Sequence, residues 1–497
     1  KTPRKVARAD RARSTPRPAH MSSDYEKQRL ANIAANHARL VALGIEQDVA
    51  TIRSDTRRRP AVKGSAINKK AKVDAVPPRS RSLRLQNLDA DGQAMPDKPA
   101  VPAYEAAPRR VRKSSAPLDA AKVSTGATSP EEAAAFLARL GKKDTSRPGK
   151  PANALAATAI DLSKLTVDED DIAKLVPERI FSLEVSPSPS KLIVAAGDTW
   201  GRVGLWDVGA GDDTPVATFE PHSRPVAGMR ILPHMPHQLL SCSHDGSVRC
   251  LDLGGAGASS FVEVYRAPED GDGEHPMLHG LSRTAGEGGA IAICRSDGAV
   301  VLLDPRAPSA GAAVRQLHEK KIFSADFSPE APQVLATASL DRTVALWDVR
   351  ALGGGKKAKA LATIEHGLSV TAVRFSASGG RLLTTCNDNL LRVFDGGGAK
   401  GGGTAWALQT AVKHNNKTGR YITCFQAEWQ RGSDDGFLCG SLEHPRGIDV
   451  YSADGGGALR ERLEPDAVGS VVSLIAQHPS RPELVASNSG GKCFVWR

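Results

Sequence analysis

HDGSVRCLDL at 244–253, SDGAVVLLDP at 296–305, LDRTVALWDV at 340–349 and NDNLLRVFDG at 387–396 are four copies of one pattern. Each has an acidic turn, a short apolar strand and a closing Asp. The two Asp residues are seven apart in every copy: Asp245 and Asp252, Asp297 and Asp304, Asp341 and Asp348, Asp388 and Asp395. A longer copy, GDTWGRVGLWDV, occupies 197–208. From Asp207 onward, successive closing Asp residues lie 45, 52, 44 and 47 apart. A fixed period of that size marks one supersecondary unit used repeatedly. A small sheet has two apolar faces and cannot bury either alone, so the units must stack on one another. An Asp in a tight turn accepts hydrogen bonds from turn amides or a neighbouring imidazole. Asp245, Asp297, Asp341 and Asp388 are therefore read as structural, and Trp206 and Trp347 as packing aromatics.

Period, strand–turn–strand content and the terminal Trp-Asp together are the WD-repeat signature. Inner segments beginning near Ile180, Pro225, Leu281, Lys321, Ser369, Tyr421 and Val468 count seven blades. The sixth is degenerate, reading ITCFQAEW and then DDGFLCGSLEHPRGIDVYS. The seventh ends in NSGGKCFVWR with no residues left for an outer strand. That strand must come from the N-terminal side, or the ring keeps exposed edges. ANALAATAIDLSKL at 152–165 is the candidate, with 166–179 crossing to the first blade. The expected fold class is all-β: a seven-bladed WD-repeat β-propeller over 180–497, closed by 151–179, after a long, basic, mostly disordered N-terminal tail over 1–150.

The tail carries the charge. Residues 1–150 hold 32 Lys and Arg against 15 Asp and Glu, a net of +17, while the chain as a whole is +11, leaving −6 for 151–497. Basic clusters stand at Arg57–Arg59, at Lys69, Lys70 and Lys72, at Arg79, Arg81 and Arg84, and at Arg109, Arg110, Arg112 and Lys113. Proline and alanine lie between them, too little apolar surface to offset ordering entropy. Such clusters serve nuclear import, contact nucleic-acid phosphates, or simply form a solvated linker. One helix is expected near 24–43, and another over 130–140 capped by Ser129. Seven scattered cysteines suit a reducing compartment. No run of eighteen apolar residues appears, so neither a membrane span nor a membrane partner is expected. No zinc spacing, HExxH or nucleophile elbow is present. Catalytic residues, metal ligands and cofactors are therefore expected to be none.

Binding remains. VKHNNKTGRYIT at 412–423, between blades five and six, gathers Lys413, His414, Lys417 and Arg420. Lys320 and Lys321 approach blade four, and Arg446 follows a proline in blade six. Converging on one face, these residues would form a positive patch on an acidic body, suited to a phosphate backbone.

PERIFSLEVSPSPSKLIVAAGDTWGRVGLWD at 177–207, HEKKIFSADFSP at 318–329, KHNNKTGRYIT at 413–423 and SLEHPRGIDVYS at 441–452 resemble the WD-repeat DNA-damage-binding proteins. These are fungal and animal relatives of the small subunit of the UV-damaged-DNA-binding complex. YEKQRLANIAANHARLVALGI at 25–45 and RSLRL at 81–85 extend the resemblance over most of the chain. It implies a nuclear, chromatin-associated protein that binds duplex DNA and acts in DNA metabolism and the damage response, with preference for UV-damaged DNA as the finer expectation. The resemblance also implies an alternative: a scaffold, or a substrate receptor of a cullin–RING ubiquitin ligase. The receptor box ends Trp-Asp-x-Arg, which Trp347, Asp348 and Arg350 match as candidate adaptor contacts, with Leu303, Asp304 and Arg306 a weaker copy. Histones or chromatin proteins are a third class of partner. One departure stands out. The lesion-recognising subunit carries a Phe-Gln-His wedge where this chain has Gly419, Arg420 and Tyr421. Glycine cannot wedge a base step. Arg420 can contact phosphate or stack, and Tyr421 either stacks from an exposed position or begins the buried strand.

Overall fold

The computed structural model describes residues 115–126, 128–141 and 161–497, apart from 212–214, 255–258, 270, 272–273, 283, 285, 287–288, 305, 307–310, 353–357, 398–404 and 465–467. The helix expected near 24–43, the basic clusters from 57 to 113, and residues 152–160 lie outside them.

Seven antiparallel sheets follow one another along the chain, at 180–219, 226–266, 278–316, 322–365, 370–413, 428–463 and 472–496. We number them blades 1 to 7 and letter their strands a to d from the axis outward. The fold is thus a seven-bladed β-propeller, nearly all β, as the repeat predicts. Central strands are buried on both faces, which is why they read as unbroken small and branched apolar runs. Val334–Ser339 in blade 4 is buried at all six positions. Outer strands are more open: in Ala407–Lys413 only Thr410 and Val412 are buried, because one face meets water. The cores lie between blades. Val344 and Leu346 of blade 4, for example, pack with Val373 and Leu382 of blade 5.

The b–c turn carries the repeated Asp. In blade 4, Asp341 Oδ1 accepts the Thr343 amide at 2.9 Å and the Thr343 hydroxyl at 2.7 Å. The following residue adopts a left-handed conformation. Gly246 and Gly298 fill that position in blades 2 and 3, whereas Arg342 (φ 76°) and Asn389 (φ 65°) do so in blades 4 and 5. A side chain there costs about 1 kcal/mol.

The ring closes at a different segment from the one expected. The outer strand of blade 7 is Ile172–Lys174, with Ile172 opposite Phe494 and Lys174 opposite Lys492. Leu162–Lys164, within the expected strand, is a short 3-10 turn that buries Leu162 against blades 6 and 7. The β-branched Ile172 suits a strand and packs against the core between blades 6 and 7. The backbones of Thr166 and Arg497 exchange two hydrogen bonds of 3.0 Å. Arg497 also pairs with the buried Asp171 at 2.5 Å.

The folded body begins well inside the expected tail. Leu118–Asp119 adds a fifth strand to blade 2. Helix Pro130–Leu140 starts with a capping box, Ser129 taking the Glu132 amide while Glu132 takes the Ser129 amide. Its Phe136 and Leu137 enter the core formed by Phe219 and Phe261 of blades 1 and 2. Arg139 pairs with Asp207 at 3.6 Å.

Blade 6 also starts later than predicted. Its inner strand is Glu428–Trp429, not a strand from Tyr421. The intervening residues cross the face of the ring, because Thr423 donates its hydroxyl to the Ile180 carbonyl of blade 1 rather than joining a ladder.

Candidate nucleic-acid interface

Topology decides which side chains can meet. In every blade the chain enters strands a and c from one rim, so d–a connections and b–c turns share that rim. Lys320 and Lys321 lie in the connection from blade 3 to 4. Lys413 to Tyr421 fill the connection from 5 to 6, and Arg446 lies in the b–c turn of blade 6. All the predicted nucleic-acid residues therefore stand on the same rim.

They are not equally available. From 413 to 418 the connection alternates as an extended chain does. Lys413, Asn415 and Lys417 are exposed, and His414, Asn416 and Thr418 are buried. His414 Nδ1 lies 2.7 Å from Asn416 Oδ1, and Asn416 Nδ2 donates to the Cys386 carbonyl at 2.8 Å. The His414 ring stands edge-on to Phe425 at 5.3 Å. Burial pushes its pKa below the ordinary histidine value. His414 therefore anchors the loop and is not one of its contacts, because the alternation turns it inward. Arg446 is half-buried, and its Nη1 has no hydrogen-bond partner.

Beyond Thr418 the chain turns at Gly419, whose φ of 65° is left-handed. Arg420 and Tyr421 then stand in solvent, Tyr421 at 77% exposure. This decides between the two readings of Tyr421: it is a free ring and not a strand residue. The tip is fixed from the connection that leads into blade 1, since Arg179 Nη1 donates to the Arg420 carbonyl at 2.5 Å.

Lys320 is exposed, and Lys321 Nζ sits 4.6 Å over the Phe323 ring. Lys321 looks onto an aromatic row at the axial mouth. Phe181, His244, His279 and Phe323 follow one another with ring centroids 5.6, 4.7 and 5.9 Å apart. Burial first, then Lys321 and Arg224, push the His244 pKa down to about 4. Burial, His244 and Lys321 push that of His279 down to about 3. Both imidazoles are neutral at physiological pH, so Lys321 is the cation of this row. Deeper in, ion pairs line the axial cavity. Arg230 meets Glu184 at 3.1 Å, and Arg374 meets Glu428 at 3.0 Å while donating to Ser324 at 2.7 Å.

The candidate adaptor residues lie elsewhere. Trp347 and Asp348 end strand c of blade 4 and Arg350 follows it, so they stand toward the opposite rim. Trp347 is buried and donates to Thr337 Oγ1 at 2.8 Å, so it is a packing residue. Asp348 grips Arg350 through Nε at 3.1 Å and Nη2 at 2.9 Å, leaving that side chain 60% exposed. Asp304 holds Arg306 the same way, at 2.9 and 2.8 Å. Among the described residues no group of His, Cys, Asp and Glu could hold a metal ion. No helix among them is long and apolar enough to cross a membrane.

Sequence reasoning missed Lys174, Arg179, Trp200 and Lys492 on the first rim. The signal for Trp200 was present: its turn makes the first repeat copy longer than the others.

Blades, turn Asp residues and Trp positions define a WD-repeat β-propeller, one rim of which carries the exposed Lys413, Lys417, Arg420 and Tyr421. The family model for the WD domain, G-beta repeat, matches residues 213–252, 313–348 and 358–395. The chain is 33% identical over 484 residues to WD repeat-containing protein 76 of Xenopus laevis, covering 95% of this chain and 80% of that one. It is 30% identical over 535 residues to DNA damage-binding protein CMR1 of Phaeosphaeria nodorum, covering 95% and 98%. Among solved structures, the β-propeller domain of Cps50 (Swd1) from Myceliophteria thermophila superposes with a TM-score of 0.50 at 15% identity, covering 67% of this chain and 99% of that one. That likeness concerns the fold alone. The chain belongs to the family of WD repeat-containing protein 76 and DNA damage-binding protein CMR1.

Proposed function

We propose that this is a nuclear DNA-binding protein of the damage response that works by binding and catalyses nothing, and that its propeller meets DNA with the rim carrying the 413–421 connection. The observation that carries this reading is the connection itself. Its buried residues fix the backbone, its tip is held by Arg179, and Lys413, Lys417, Arg420 and Tyr421 all face water. Preorganised cations of this kind suit phosphates, which position a nucleic acid without reading its sequence. The names of the CMR1 relatives, DNA damage-binding proteins, support the same reading. With Gly419 at the loop tip, base flipping by an aromatic wedge does not fit; general or distorted-duplex binding does. The combined variant Lys413→Ala, Lys417→Ala, Arg420→Ala should bind duplex DNA more than tenfold more weakly while unfolding at the wild-type urea midpoint. Wild-type affinity in that variant would refute the assignment.

A second reading, a ligase receptor, is favoured by one observation: Asp348 fixes the guanidinium of Arg350 at the surface, on the rim opposite the 413–421 connection. Arg350→Ala should then reduce co-purification of a cullin–RING adaptor from cells without changing DNA affinity. Undiminished co-purification would remove the receptor box from the account.

A further inference from the structure

Of the six tryptophans, four are buried: Trp206 at 3%, Trp347 at 5%, Trp429 at 8% and Trp496 at 1% exposure. Trp406 is half-buried against Phe375. Trp200 is 57% exposed. Its turn is not loose. The buried Asp198 accepts the Trp200 and Arg202 amides through one oxygen, each at 2.8 Å. The Thr199 amide donates to the Arg179 carbonyl at 3.2 Å. Gly201 packs so tightly that a Cβ would stand 2.3 Å from the His222 carbonyl oxygen. A large aromatic ring is thus held in water by a rigid support.

Arg179 joins this turn to the 413–421 connection. Its carbonyl takes the Thr199 amide, next to Trp200, and its guanidinium holds the Arg420 carbonyl, next to Tyr421. Trp200 and Tyr421, the exposed Trp and Tyr of the described residues, thus each adjoin a residue bonded to this one arginine. On blade 7, beside them, Lys174 and Lys492 are cross-strand partners and both exposed. Like charges directly opposite one another destabilise a sheet, and an anion bound between them removes the repulsion.

We propose that Trp200 and Tyr421 form a stacking platform for unpaired nucleobases, with Arg179, Lys174 and Lys492 taking the flanking phosphates. The proposal rests on the reading of this rim as the DNA-binding face and specifies what it recognises there. Every base has a π-face, so stacking on aromatic side chains tolerates any sequence. In a matched duplex those faces are already stacked on one another. The platform therefore adds affinity only where bases are unpaired, in a single strand, a bulge or a distorted duplex.

The test uses the full chain and three DNAs of common sequence: a single strand, a duplex with a short unpaired bulge, and the matched duplex. Trp200→Ala should weaken single-strand and bulge binding about five- to a hundredfold, the range of one lost stacking contact, and change matched-duplex binding less than about twofold. Trp200→Phe should restore most of the loss. Tryptophan emission of the wild type should fall on binding the single strand, and Trp200→Phe should lose that response. Equal weakening on all three DNAs would overturn the proposal, as would wild-type binding by Trp200→Ala, which would leave the ring for a protein partner. The Lys413, Lys417 and Arg420 variant separates the two levels. If it binds less DNA while Trp200→Ala is unchanged, only the platform fails. If it binds as wild type, or the wild type binds no DNA, the reading of the rim fails as well.

Discussion

Thr337 shows how a repeat residue works. With its proton on Nδ1, His318 donates to Asp341 Oδ2 at 2.7 Å and accepts the Thr337 hydroxyl at 2.7 Å, and Trp347 donates to the same oxygen at 2.8 Å. One buried hydroxyl thus joins strands b and c to the incoming connection. Thr337→Val keeps the volume and deprives His318 Nε2 and Trp347 Nε1 of their shared partner. Stability should fall by about 2 kcal/mol or more, read as a lower urea midpoint; an unchanged midpoint would mean that the chain of bonds is incidental. These structural residues were legible in the sequence, because the spacing that builds the turn also places the Asp and the Trp. Exposure was not. A turn at 197–202 can be read from its glycine and aspartate, but whether Trp200 faces water depends on Asp198, Gly201 and a carbonyl from Arg179. Tyr421 was equally undecided, since its position follows from a contact with Arg179, more than two hundred residues away.

Whole elements followed the same division. Blade 7 takes three strands from 472–496 and its fourth from Ile172–Lys174; the need for a fourth strand could be read from the four-stranded repeat. Its identity could not, because a three-residue strand such as Ile172–Lys174 has no periodicity to detect. The helix Pro130–Leu140 was visible through its capping residues, yet its role was not. Composition placed it in a charged tail, while Phe136 carries it into the core between blades 1 and 2. Phe136→Ala should therefore cost about 3–5 kcal/mol, as buried Phe truncations do, measured by chemical denaturation of the full chain. A loss below about 1 kcal/mol would mean that the helix is not part of the cooperative fold. Fragments intended to isolate the propeller should start before Leu118, since a start at 151 removes the helix and the fifth strand of blade 2 together.

At the scale of the molecule, the up-and-down order of the blades sorts chemistry between two rims. Connections and b–c turns gather lysines, arginines and two exposed aromatic rings on one side. The paired Asp–Arg motifs after strands c stand on the other. The axial cavity between them is lined by Arg230, Arg374 and Glu428. Residues 151–497 carry −6 overall, and exposed Glu274 and Glu443 share this rim, so the face offered to phosphates is the local cluster of Lys413, Lys417 and Arg420. The N-terminal +17 makes its own contribution to any DNA affinity, so affinity alone does not locate the contact. The slope of log affinity against log salt does, since each phosphate contact contributes about 0.9 to it on duplex DNA. The most direct test measures that slope for the full chain and for the Lys413, Lys417 and Arg420 triple alanine variant, which share the same N-terminal residues. The account predicts a slope shallower by about 2–3 in the variant. Identical slopes and affinities would contradict it and move DNA contact away from this rim.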